Sequence, residues 1–122
     1  MSSRLTVSTP HRRYNVRRRM NDQLEADFDQ AMYAIYQRAL SEVNYRATRF
    51  QEMLFEHRGL RTAQILLHAR QVSDGYTALW ERNRLDLTVE AVIHDDPKWH
   101  PLFTSEELEI CRKRLKDYRY LK

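Results

Sequence analysis

Two glycines, Gly59 and Gly75, and three prolines are all that 122 residues contain of the residues that most often turn a chain. An all-β fold needs many more, so the scarcity predicts helices joined by short connections. It also excludes phosphate-cradling loops and dinucleotide fingerprints, which need closely spaced glycines. Cysteine occurs once, at Cys111. That excludes an intrachain disulfide and a multi-cysteine zinc site, and a reducing, cytoplasmic setting is expected. No run of 18 apolar residues is present, so no transmembrane helix and no membrane partner are expected. The N-terminus lacks the apolar stretch of a secretory signal. Its resemblance to a mitochondrial presequence is loose, because Pro10 interrupts it.

Acidic residues are missing altogether from the first twenty positions. Those positions hold six arginines, Arg4, Arg12, Arg13, Arg17, Arg18 and Arg19, for a charge of +6. The remainder holds 15 Lys+Arg against 17 Asp+Glu, for −2. The basic isoelectric point near 9.4 therefore describes a weakly acidic body with an arginine-rich arm. The expected organisation is a disordered arm over residues 1–20 and a single helical domain over 21–122. About 100 residues suffice for one core without metal or disulfide support.

Helical periodicity runs through the body. Leu24, Phe28, Ala31, Met32, Ile35, Ala39 and Val43 step by threes and fours, predicting a helix from about Asp22 to Val43 with Asn44 as its stop. A second helix is expected over 47–58, with Phe50, Met53 and Leu54 inward and Gly59 as a left-handed cap. A short helix over 61–69 follows, then one over 75–83 capped by Ser73 or Asp74, then one over 86–94 capped by Asp86. Thr104-Ser105-Glu106-Glu107 reads as a capping box before a last helix carrying Leu108, Cys111, Leu115 and Tyr118. The fold class expected is all-α, a compact bundle of five or six short helices.

The densest stretch is GYTALWERNRLDLTVEAV, from Gly75 to Val92. Together with Tyr45–Phe50 and the LFTSEEL run from Leu102 to Leu108, it resembles a small all-helical family of bacterial proteins to which no function is assigned. The resemblance spans about Asp22 to Tyr120. It implies an all-α fold and a bacterial origin, and it carries no catalytic residue across.

Read from the residues alone, that stretch is structural or interfacial. Trp80 and Leu79 are expected as apolar core anchors. Arg84 with Asp86, or Arg82 with Glu90, is expected to tie two helices together. The competing reading lines a pocket with Glu81, Asp86 and Glu90. Metal chemistry has little support: His57/His68 and His94/His100 lack the i, i+4 spacing that sets two imidazoles on one face, and no HExxH occurs. Glu52 and Glu56 share a helix face and, with Asp86, define a weaker alternative as a metal-dependent hydrolase. A solvated acidic face explains them better. Cys111 falls on an apolar stripe as a buried thiol. A helix-turn-helix over 61–84 is disfavoured, because its connector is long and its basic residues sit at the wrong end of the second helix.

The function expected is a non-catalytic protein-interaction or accessory module that needs no cofactor and acts on another protein. The alternative is an accessory factor that binds nucleic acid weakly and without sequence preference through Arg12, Arg13, Arg17, Arg18 and Arg19. Exposed Tyr33, Tyr36 and Trp99 would favour self-association if they formed one patch.

Overall fold

The computed structural model describes the backbone of residues 2–122 and the side chains from Asn21 onward. Its α-helices are α1 (Ser2–Val43), α2 (Thr48–His68), α3 (Asp74–Glu81), α4 (Val89–Asp95) and α5 (Ser105–Asp117). Short 3-10 segments occur at Leu85–Leu87 and Pro97–Leu102. The fold is an all-α bundle, with no strand among the described residues. The arm arginines Arg12, Arg13, Arg17, Arg18 and Arg19 lie outside the described side chains.

The stripe on α1 packs as its spacing requires. Phe28, Met32, Ile35 and Ala39 are buried, and Leu24, Ala31 and Val43 border them. Asn44 takes a left-handed conformation at φ 54° and ends the helix, a conformation Asn tolerates better than most residues. Phe28 is the hub of the main core, with Trp99 and Phe103 packed edge-on at 5.3 and 5.4 Å between ring centroids. This corrects the expectation of exposed aromatics. Trp99 and Tyr36 are buried, and Tyr33 alone of the three is exposed. The apolar 3-10 turn after Pro97 brings Trp99 inward, which a helical template does not anticipate.

The two helices expected around Gly59 are present as the halves of α2, but the break is made differently. Arg58, not Gly59, carries the positive φ, at φ 65° and ψ −175°. Gly59 is needed for closeness. Its N–H donates to Asp29 Oδ1 on α1, and a Cβ there would meet that oxygen at 2.9 Å and the Asp29 Cα at 3.0 Å.

Ser73 caps α3 by accepting from the Tyr76 N–H at 3.0 Å. The helix ends with Asn83 at φ 60°. There the Arg84 N–H returns to the Leu79 carbonyl and the Asn83 N–H to that of Trp80, a Schellman closure. The helix expected from Asp86 starts later. Residues 85–87 form a 3-10 turn, and Thr88 caps α4 by accepting from the Ala91 N–H at 3.1 Å. Asp86 is free of that duty because its carboxylate holds Arg84. The capping box on α5 forms as expected, with Thr104 and Glu107 exchanging bonds of 2.9 and 3.1 Å.

Candidate interaction groove

A half-open groove of about 650 Å³ runs between α1, both halves of α2, α3 and the approach to α4. Its size is that of a ligand or side-chain pocket. Ile35, Tyr36 and Ala39 of α1 form one wall. Phe50, Met53 and Leu66 of α2 form the opposite one, brought together by the bend at Arg58. Tyr76 and Leu79 of α3 and Leu87 and Val89 close the inner end. Tyr45 stands at the edge, and the guanidinium of Arg82 lies over its ring at 4.9 Å. Arg49, Arg70 and Asp74 also line the groove, and all three are exposed.

The polar groups at the inner end of this apolar space are engaged within the protein. Glu90 is 3 % exposed and accepts from Arg114 Nη1 at 2.9 Å. Burial raises its pKa above the ordinary carboxylate value, and its own backbone N–H and Arg114 counter this only in part. Arg114 also donates to the carbonyls of Leu66, Leu67 and Ala69, at 3.1, 3.3 and 2.8 Å. It thereby caps the C-terminal end of α2, where the helix dipole favours a cation. Tyr76 donates its hydroxyl proton to the Arg114 carbonyl at 2.9 Å. Its pKa is raised by burial and by the nearby Glu90. His68, on the last turn of α2, meets Glu107 at 2.8 Å.

Of the two ion pairs expected from sequence, one forms. Arg84 grips Asp86 through Nε at 2.9 Å and Nη2 at 3.1 Å. A third partner unforeseen in the sequence is Glu42 of α1, 2.7 Å from Arg84 Nη2. Arg38 and Arg84 together hold the Glu42 carboxyl down to about 2. The Arg82–Glu90 pair does not form. Arg82 turns outward onto Tyr45 and the Ala78 carbonyl, while Glu90 belongs to Arg114. The expectation for Trp80 is corrected too. Leu79 is buried, but Trp80 is 48 % exposed and lies edge-on against Tyr118 at 5.6 Å.

Glu52, Glu56 and Glu81 are exposed. Glu52, Glu56 and Asp86 are not brought together, and among the described residues no three His, Cys, Asp or Glu side chains gather as a metal site would require. No helix among the described residues is long and apolar enough to cross a membrane. Sequence periodicity missed Phe55, which falls off the Phe50–Met53 stripe and is 92 % exposed. It borders a separate, more open depression with Tyr33 and Leu54. It also missed Arg114, which nothing in sequence separates from the exposed Arg112 and Lys113. Comparison with protein-family models, with curated proteins and with solved structures finds no match to this chain.

Proposed function

We propose that this chain is a non-catalytic protein-interaction module of bacterial, cytoplasmic setting, and that its binding surface is the groove between α1, α2 and α3. The observation that carries this reading is the groove itself, a half-open space between helices lined mainly by apolar side chains. The polar groups beside it favour binding over chemistry. Glu90, Tyr76, Ser73 and Thr88 each form a hydrogen bond within the fold itself, a structural use that supports this reading. A photo-crosslinking side chain at position 53 tests the reading in cells, with the same group at Lys113 as control. A discrete protein adduct at position 53 alone is the expected result. Equal labelling at both positions, or no protein adduct at position 53, contradicts it.

Segregation of charge supports a second reading, in which the N-terminal arginines bind nucleic acid. The +6 of residues 1–20 against −2 for the rest assigns phosphate contacts mostly to Arg12, Arg13, Arg17, Arg18 and Arg19. Binding is then non-selective and falls steeply with salt. Titration of the full chain and of a variant beginning at Met20 with specific and scrambled duplexes, at two salt concentrations, checks this. Sequence-selective binding by the shorter variant contradicts it.

A further inference from the structure

Resting on the interaction reading above, we infer that the groove receives an acidic amphipathic helix of a partner protein. The body is net acidic, yet the mouth of its apolar groove is basic. Arg49 and Arg70 line it. Arg46 is set between the lining residues Tyr45 and Ala47, and Arg82 covers the Tyr45 ring. All four are exposed. None of them joins an ion pair among the described residues, although Arg38, Arg84, Arg112 and Arg114 all do. Of the two carboxylates that line the groove, Asp74 is exposed and Glu90 is buried. Inside, the charge of Glu90 is met by Arg114, so the interior offers a visiting cation no free counter-ion.

Backbone chemistry selects a helix over an extended chain. The groove walls are helices and capped turns, and no strand edge exists among the described residues. An extended segment would bury N–H and C=O groups without partners. A helix satisfies its own and offers apolar side chains at i, i+3, i+4 and i+7 to a groove of this kind. Carboxylates flanking that stripe would then meet the rim arginines, which set partner choice and encounter rate more than they add affinity. Sign also rules out the chain's own N-terminal segment, whose +6 is repelled by the same rim.

The test is a display library of helical peptides, with surface positions randomised, selected on the full chain and counter-selected on Met53→Arg. The counter-selecting variant keeps the N-terminal arginines, so peptides held by those alone are removed. The Met53 methyl and Phe50 ring resonances of the unsubstituted protein report groove occupancy independently, should Met53→Arg fold poorly. Retained peptides are expected to carry Asp or Glu beside an i, i+3, i+4, i+7 apolar stripe. Their affinity should fall about tenfold or more on Arg49→Glu/Arg70→Glu, and exchanging their acids for lysine should restore it. Retained peptides that are neutral or basic, or indifferent to the reversed arginines, overturn the acidic partner and leave the groove reading standing. If no peptide shifts Met53 or Phe50, or separates the parent from Met53→Arg, the groove reading itself fails.

Discussion

Arg114 meets Glu90 at 2.9 Å where α5 crosses α4, and the same guanidinium holds three carbonyls at the end of α2. One side chain thus joins three helices behind the groove. The Arg114 and Glu90 side chains are 12 and 5 % exposed, so water replaces little of what either would lose. Arg114→Ala is expected to cost about 3–5 kcal/mol, because it strands a buried carboxylate. Glu90→Gln/Arg114→Met should cost clearly less. Urea denaturation of the three proteins decides it, and equal losses would show that the pair is not buried in solution.

The same pair sets a pH dependence. The folded-state pKa of Glu90 is raised above its ordinary value near 4.5, so the folded protein holds the proton more tightly than the unfolded one. Stability contributed by this group falls as pH rises from about the unfolded pKa through the folded one. Glu90→Gln should flatten that fall, which denaturation at a series of pH values would reveal.

Glu42 behaves in the opposite sense. Its folded pKa lies at about 2, so its contribution is present above the unfolded value and is lost as pH drops toward 2. In Arg84→Met, NMR titration of the Glu42 carboxyl should show its midpoint moving up toward the ordinary range. A midpoint that stays put would mean Arg38 alone holds the carboxylate.

The two tryptophans should separate sharply. Trp99 is 5 % exposed and packs on Phe28, so Trp99→Ala is expected to cost about 3–5 kcal/mol. Trp80 is half in water, and its edge contact with Tyr118 is worth about 0.5–1.5 kcal/mol. Thermal melts of both alanine variants compare them directly. A Trp80→Ala protein that unfolds as readily as Trp99→Ala would place that indole in the core.

At the bend of α2 neighbouring residues should respond in opposite ways. Arg58→Gly relieves a left-handed backbone and loses only an exposed contact with Asp29, so stability should stay within about 1 kcal/mol of the parent or rise. Gly59→Ala drives a methyl onto the backbone of α1 and should lose at least about 1 kcal/mol. The reverse order in a denaturation series would mean that the bend sits elsewhere.

The helices were legible because period 3.6 and the cap residues act locally. The α1 stripe, Ser73 and the Thr104 box needed no tertiary knowledge. Trp99 escaped that reading because a 3-10 turn between Pro97 and Leu102 aims it inward. Trp80 escaped it because being large and apolar does not say which side of a short helix faces the core. The break at residues 58–59 was visible, but its mechanism depended on how closely α1 approaches, which one strand of sequence cannot show. The groove was illegible for the same reason. Its walls are drawn from residues 35 to 90, and only their assembly leaves space between them. Arg84–Asp86 could be seen as a close pair in sequence, whereas Arg114–Glu90 joins residues 24 positions apart.

That separation has a consequence during synthesis. A chain made from its N-terminus completes the groove walls before Arg114 exists. At roughly 5–20 residues per second, the interval between Glu90 and Arg114 is about 1–5 s. Over that time the end of α2 has no guanidinium cap, Glu90 has no counter-ion, and the apolar walls stand without the helix that braces them from behind. In that order of synthesis, α5 is the segment whose arrival braces the walls.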